Sequence, residues 1–136
     1  MTEYVTDTMA LVLHLERRRM GAAAHDAFER ADRGEGVVIH IPAMVLAEIL
    51  YLSERKRIAA TVGDVATLLH DVRSIVSNGG FWVAPLDLVV IERAAQITDV
   101  PELHDRLIAA TAAERNAPLL TNDPEIMAST FVRTLW

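Results

Sequence analysis

Val37-Val-Ile-His-Ile-Pro-Ala-Met-Val-Leu-Ala-Glu-Ile-Leu-Tyr-Leu52 joins a strand pattern directly to a helix pattern, and this junction decides the fold. The β-branched residues of 37–41 predict a buried strand, and Pro42 suits the first turn of the helix that follows. A carboxylate on the apolar stripe of that helix is costly to bury unless a cation, a hydrogen-bond network or a metal ion compensates it. Glu48 is such a carboxylate, because its neighbours at three and four residues' distance are all apolar: Met44, Val45, Tyr51 and Leu52.

Strand and helix patterns alternate along the rest of the chain. Strands are predicted at residues 4–6, 37–41, 81–84, 119–121 and 131–135. Besides the helix that begins at Pro42, helices or helical turns are predicted at residues 8–19, 21–33, 61–77, 88–98, 103–116 and 124–129. This alternation indicates a parallel sheet covered on both faces. We therefore predict an α/β fold, a three-layer α/β/α sandwich with a central, mainly parallel sheet.

Size and composition indicate one domain spanning residues 1–136, because 136 residues that are 51% hydrophobic suit a single substantial core. The absence of cysteine excludes disulfides, thiolate zinc sites, iron–sulfur clusters and cysteine nucleophiles. No export signal is visible, and Pro42 and Glu48 interrupt the longest apolar stretch, whereas a membrane span needs about 20 apolar residues. We expect a cytoplasmic protein that does not enter a membrane.

The net charge of -6 argues against a protein whose whole surface binds nucleic acid without specificity. It does not exclude a local site, since two bound divalent cations would change -6 to -2. Basic residues form two runs, Arg17-Arg18-Arg19 and Arg55-Lys56-Arg57. We interpret these runs as solvated helix ends, where the helix dipole favours cations, with contact to an RNA backbone as the alternative.

Carboxylates follow several of the predicted strands or open the next helix. Ligands of parallel sheets bind beyond the carboxyl ends of the strands, so these positions are candidates for a site. Asp7 ends the first strand, Asp105 lies in the first turn of its helix, and Asp123 follows residues 119–121. Together with Glu48, these side chains are predicted to meet at one edge of the sheet and bind metal.

Each of the four carboxylates also has a simpler structural explanation. Asp7 and Asp123 are typical helix N-caps, and Asp105 is a first-turn acid favoured by the helix dipole. For Glu48 the alternative is a buried partner side chain, with Tyr51 and Arg106 as candidates. These explanations leave open why all four acids fall at the same edge of the predicted sheet, and we therefore favour a metal site.

Four clustered anions raise one another's pKa and repel, so the cluster is favourable only when divalent cations bind. Ligation by oxygen alone suits Mg²⁺ or Mn²⁺ rather than zinc. Such ions align a phosphodiester, lower the pKa of a bound water and stabilise the leaving oxygen. Hydrolysis then needs no protein nucleophile, in agreement with the absence of cysteine and of a Gly-x-Ser-x-Gly elbow.

Four segments carry a resemblance to a known family: Tyr4–Leu11, Ile41–Leu50, Leu103–Ala112 and Pro118–Asp123. The sequence resembles the PIN-domain family, in particular the VapC-type ribonuclease toxins of bacterial toxin–antitoxin pairs. The family's acidic metal ligands match Asp7, Glu48, Asp105 and Asp123, and its Ser/Thr before the last acid matches Thr121.

The resemblance implies an endoribonuclease that depends on Mg²⁺, with Mn²⁺ as a possible substitute, and that cleaves RNA as a homodimer. It also implies a cognate antitoxin whose tail occupies the active-site groove. Within the site, the resemblance assigns the hydroxyl of Thr121 to orienting the carboxylates by hydrogen bonding.

Other functions fit the sequence less well. A phospho-acceptor module of the receiver type needs a lysine near its acidic pocket, and the chain's only lysine is Lys56, within a basic run. A nucleotide-binding module is disfavoured because the phosphate-binding glycine motifs are absent. A PIN fold that acts only as a binding partner has no need of a repelling cluster. A PIN nuclease outside a toxin–antitoxin system remains the closest alternative.

The histidines are given no catalytic role. His104, beside Asp105, is interpreted as a surface residue, with contact to a metal ligand or a phosphate as the alternative. The other histidines show no metal-ligand spacing: His14, His25, His40 and His70.

Overall fold

The computed structural model describes residues 1–55 and 65–136 of the chain. The strands are β1 (Thr2–Thr6), β2 (Val37–Pro42), β3 (Phe81–Ala84), β4 (Leu119–Leu120) and β5 (Thr134–Leu135). The helices are α1 (Thr8–Leu15), α2 (Ala22–Asp32), α3 (Ala43–Glu54), α4 (Val65–Ser77), α5 (Leu88–Gln96), α6 (Leu103–Glu114) and α7 (Pro124–Met127). Within the described ranges, no helix is long and apolar enough to cross a membrane.

The five strands form one sheet with the order β3-β2-β1-β4-β5, and every neighbouring pair is parallel. The predicted α/β/α sandwich is confirmed, and its sheet is parallel throughout. All six residues of β2 are buried, as expected for an inner strand covered on both faces. From β1 the chain adds β2 and β3 on one side and then crosses to add β4 and β5 on the other. The order therefore reverses between β1 and β4, where open parallel sheets bind their ligands.

Buried apolar side chains form two clusters in the described residues. The larger one joins the strands to α1, α2 and α3 through fully buried residues such as Leu11, Phe28 and Ile49. The smaller one joins α5 to α6, for example through Val90 and Leu107. Burying a side chain of this size contributes about 1.5–3 kcal/mol. Helices α1, α3 and α5 each directly follow a strand, so they begin at the carboxyl edge of the sheet.

Helix α1 ends at Leu15 and not at Arg19, so this predicted boundary is wrong. Arg17 adopts a positive φ of 54°, and the backbone N–H of Arg18 donates to the carbonyl of Leu13 at 2.8 Å, which closes the helix. A left-handed residue after a helix is usually glycine. Because this position holds arginine and not glycine, the sequence does not show that the helix ends here. The first basic run therefore lies in the connection to α2 and not in the last turn of α1.

The other predicted elements differ from the structure mainly at their ends. The predicted helices extend two residues too far at 98, 116 and 129, and the last strand covers Thr134–Leu135 only. Asn116, with a φ of 51°, follows α6 in the same left-handed conformation as Arg17. The predicted helical start at 61–64 lies outside the described residues, as do Lys56 and Arg57 of the second basic run.

The left-handed conformation of Arg17 predicts that Arg17→Gly stabilises the fold. A residue with a Cβ in this conformation costs about 1–2 kcal/mol that glycine avoids, and part of this gain is offset by the greater freedom of glycine in the unfolded chain. We expect the free energy of unfolding in urea to rise by roughly 0.5–1 kcal/mol. Arg19→Gly is the matched control, because it removes the same charge at a position without positive φ and lowers stability slightly. Equal effects of the two substitutions would contradict the prediction.

Candidate metal centre

Glu48 lies in the middle of α3, beside the buried face of the helix. The residues of α3 that face the core are Val45, Ile49 and Ser53, which repeat every four residues. Glu48 is displaced by one position from this stripe, and its side chain is 27% exposed. The expectation that Glu48 sits on the core-facing stripe is thus corrected, because its apolar neighbour Tyr51 is 50% exposed. Of the four apolar neighbours, Met44, Tyr51 and Leu52 line an open groove, whereas Val45 faces the core.

The two oxygens of Glu48 have different surroundings. Oε2 accepts a hydrogen bond of 2.9 Å from the hydroxyl of Thr8, at the start of α1. Oε1 is buried and has no hydrogen-bond partner, and Nδ1 of His104 lies 3.9 Å from it. The partner is therefore neither Tyr51 nor Arg106, the two side chains considered from sequence. Nε of Arg106 is itself buried without a partner, and no other side-chain atom of the described residues shares this condition.

Asp7 directly follows β1 and is 7% exposed. Its Oδ1 accepts a hydrogen bond of 2.7 Å from the backbone N–H of Ala10, so it does cap α1. Burial raises the pKa of Asp7, and the hydrogen bonds from Thr121 and Ala10 oppose this shift. The negative charges of Asp123 and Glu48 raise the pKa further. The bond from Ala10 occupies one acceptor position on Oδ1 of Asp7, and a carboxylate has about four such positions, so the Ala10 and Thr121 bonds together leave acceptor capacity for a cation.

Asp123 caps α7 in the same way, since its Oδ1 accepts from the backbone N–H of Glu125 at 2.9 Å. The backbone N–H of Asp123 donates to the hydroxyl oxygen of Thr121 at 3.0 Å. Thr121 is fully buried, next to the end of β4. Its hydroxyl thus touches the backbone of Asp123 and also lowers the pKa of Asp7. One side chain thereby connects two of the acidic positions.

Asp105 lies in the first turn of α6 without capping the helix. The N-cap is Glu102, whose Oε2 accepts from the backbone N–H of Asp105 at 2.8 Å. Burial raises the pKa of Asp105 to about 6, with further contributions from the charges of Asp123, Glu102, Glu48 and Asp7. Asp105 therefore lies within electrostatic reach of the other three predicted acids.

The predicted site residues are neighbours, but their side chains do not enclose a common point. Throughout residues 1–55 and 65–136, no group of three or more His, Asp and Glu side chains has the arrangement of a metal site. Anions brought together without a counter-ion repel one another. Asp7 and Asp123 also direct one oxygen each to a helix cap. The structure brings the four carboxylates to one edge of the sheet, each still held by its own helix.

The donor set fits a hard divalent cation. Every predicted ligand offers carboxylate oxygen, the ligand type preferred by Mg²⁺ and Mn²⁺. Oε1 of Glu48 is buried without a partner, which is costly for a polar atom that nothing compensates. Burial is the main cause that raises the pKa of Asp7 and of Asp105, and the neighbouring carboxylates raise both further, a contribution that a cation would relieve.

Sequence reasoning missed two residues of this region. Thr8 bonds to Glu48 from forty positions away, a contact that only the packing of α1 against α3 creates. Glu102 caps α6, and its place three residues before Asp105 is the available sequence signal. His104 is 53% exposed, in agreement with its interpretation as a surface histidine, and its Nδ1 lies 3.9 Å from Oε1 of Glu48, the kind of contact that the alternative predicted.

A groove of about 560 Å³ opens beside the carboxylates. It is lined by Met44, Ala47, Glu48, Tyr51, Leu52 and His104. The groove is thus an apolar surface of α3 that carries Glu48 at its rim.

Comparison with known proteins identifies the family. The family model described as the PIN domain matches residues 4–130 of the chain. No curated protein matches the sequence significantly. Among solved structures, the DNA-bound VapBC of Salmonella typhimurium is 18% identical and has a TM-score of 0.71, over 99% of this chain and 98% of that chain.

Two further structures agree with this likeness. VapBC2 of Rickettsia felis, bound to a promoter DNA fragment, is 16% identical with a TM-score of 0.70, over 99% of both chains. The Mycobacterium tuberculosis toxin VapC20, described as cleaving the sarcin-ricin loop, is 17% identical with a TM-score of 0.62, over 96% of this chain and 98% of that chain. At such identities the likeness concerns the fold. Because the family model covers nearly the whole sequence, the chain belongs to the PIN domain family.

Proposed function

We propose that this protein is a Mg²⁺-dependent endoribonuclease and the toxin of a type II toxin–antitoxin pair. Its metal ligands are Asp7, Glu48, Asp105 and Asp123, and Mn²⁺ can replace Mg²⁺. The observation that carries the proposal is the electrostatic coupling of these acids at the point where the strand order reverses. Membership of the PIN family supports hydrolysis of a phosphodiester, and the likeness to a toxin described as cleaving the sarcin-ricin loop supports RNA as the substrate.

In this proposal each residue has a distinct task. Asp7 and Asp123 hold one ligand oxygen each while their other oxygen caps a helix. Glu48 contributes its unpartnered Oε1. The buried hydroxyl of Thr121 keeps the first and last aspartates in fixed relation. A divalent cation held by these oxygens would lower the pKa of a coordinated water and would neutralise charge on the phosphate. The chain therefore needs no nucleophile of its own.

The toxin assignment rests on relatives and can be separated from the nuclease assignment. Two similar structures are VapBC bound to DNA, which supports a cognate antitoxin with a DNA-binding part and a cytoplasmic place of action. The alternative is a PIN nuclease outside a toxin–antitoxin system. A small neighbouring gene that encodes a DNA-binding antitoxin favours the toxin, and its absence favours the alternative. A non-catalytic binding module would leave RNA intact in every condition.

We also propose a homodimer. Six of the exposed large apolar side chains of the described residues fall within ten positions of β3 and α5: Trp82, Val83, Leu86, Leu88, Val89 and Ile91. Exposed apolar side chains concentrated in one segment are typical of protein interfaces. A stable dimer buries about 1,600 Å² in total, which requires a patch of this kind.

Glu48→Gln is expected to abolish cleavage while the protein stays folded. The change removes one negative ligand, so we expect RNA cleavage in Mg²⁺ to fall by about 100-fold or more, as gel analysis of a structured RNA panel would measure. Without metal, the free energy of unfolding is expected to stay unchanged or rise, because a repelling charge is lost. Glu54→Gln, at the exposed end of the same helix, is the matched control and retains cleavage.

Two further conditions accompany this experiment. Chelation of divalent ions stops cleavage by the wild type, and rising salt weakens it because contacts to the RNA backbone are electrostatic. A Glu48→Gln protein that unfolds easily but cleaves normally would contradict the metal site. Cleavage that persists in chelator would contradict metal dependence.

The raised pKa of Asp105 predicts how stability depends on pH without metal. A carboxyl whose folded pKa is about 6, above its ordinary 3.8, favours the folded state while protonated, and this contribution is lost as pH rises through 6. We expect the free energy of unfolding, measured in urea with chelator, to fall between about pH 4 and pH 6. Asp105→Asn flattens this dependence, whereas Asp26→Asn on the exposed side of α2 does not. An unchanged slope in Asp105→Asn would contradict the shift.

Leu88→Glu is expected to disrupt the dimer without harming the fold. Leu88 is 68% exposed and opens α5, where the helix dipole favours an acidic side chain. A charge buried in an interface raises the dissociation constant by roughly 100-fold. Light scattering after size exclusion measures the mass, and Phe131→Glu, outside the segment, is the control. If the wild type is a dimer and Leu88→Glu has the same mass, the interface does not include Leu88.

A further inference from the structure

We infer that Thr8 is a positioning residue for the carboxylate of Glu48, an inference that rests on the metal site proposed above. The hydroxyl of Thr8 donates a hydrogen bond of 2.9 Å to Oε2 of Glu48. The two residues belong to different helices, and α1 packs against α3 at this point. The contact is therefore a tertiary one that ties the start of α1 to the middle of α3.

This bond leaves one oxygen of Glu48 for another partner. Oε2 is occupied by Thr8, whereas Oε1 is buried and accepts no hydrogen bond. A glutamate side chain has several rotatable bonds, and holding one of its oxygens restricts where the other can point. A ligand that is already oriented loses less conformational freedom when an ion binds. Thr8 thus restricts the directions that the free oxygen of Glu48 can take, at a site whose other acids lie nearby.

The position of Thr8 is itself set by Asp7. Asp7 caps α1 through its bond to the N–H of Ala10, which makes Thr8 the first residue of the helix. Threonine near a helix start commonly bonds to local backbone, but this hydroxyl reaches a different helix. Because a β-branched side chain has few χ1 rotamers, the backbone of α1 determines the direction of the hydroxyl. The start of α1 therefore holds Asp7 directly, and through Thr8 it orients Glu48.

The test compares Mn²⁺ binding, measured by isothermal titration calorimetry, with stability in chelator. Thr8→Val keeps the branched shape and removes the hydroxyl, and we expect its dissociation constant for Mn²⁺ to rise about 10- to 100-fold. Thr8→Ser keeps the hydroxyl and restores most of the affinity. Thr98→Val, at an exposed threonine between α5 and α6, leaves the affinity unchanged. If Thr8→Val does not fold, Thr8→Ala, which also lacks the hydroxyl, takes its place in the comparison of Mn²⁺ affinity with the wild type.

The outcomes separate this inference from the proposed function. A wild type that binds no Mn²⁺ overturns the metal site, and the role of Thr8 falls with it. A wild type that binds Mn²⁺ no more tightly than Thr8→Val overturns the role of Thr8 alone. Lower stability in chelator with unchanged affinity assigns Thr8 to packing and also overturns the inference. Weaker binding by Thr8→Val, with recovery in Thr8→Ser and unchanged stability in chelator, supports it.

Discussion

The rest of the site depends on the parallel register between β1 and β4. Val5 pairs with Leu119 and Thr6 with Leu120, so both strands end at the same level. The backbone N–H of Asp7 donates to the carbonyl of Leu120 at 3.2 Å and continues this register beyond the strands. Acidic residues placed just after these strands must therefore lie near one another, whatever their side chains prefer. Their repulsion is a consequence of the backbone.

The N-terminal ends of the helices reduce the repulsion between these acidic side chains. Asp7 and Asp123 each accept a backbone N–H at the N-terminus of a helix, and Asp105 lies in the first turn of α6. The positive end of a helix dipole favours an anion at each of these places. Capping and ion binding are therefore compatible tasks, because a carboxylate has two oxygens. Glu48, in the middle of α3, has no such support, and among the described residues the hydroxyl of Thr8 is its hydrogen-bond donor.

Much of this arrangement could be predicted from sequence, because it depends on local pattern and chain order. The alternation of strands and helices predicted the sheet, and the position of each acid relative to a strand end predicted their proximity. What failed depended on contacts distant in sequence or on unusual backbone. Arg17 ends α1 in a left-handed conformation that arginine does not signal. The apolar neighbours of Glu48 suggested a buried stripe, yet Tyr51 faces an open groove.

Geometry also bears on which basic residues could serve the proposed function. Asp7 precedes the first residue of α1, and the run that begins at Arg17 follows its last turn. A helix of eight residues is about 12 Å long, so this run lies at the opposite end of α1 from Asp7. In a chain of net charge -6, attraction of an RNA phosphate to these acids, as proposed, would then depend on a bound cation. Under the proposed function, metal binding would therefore be a condition for substrate binding.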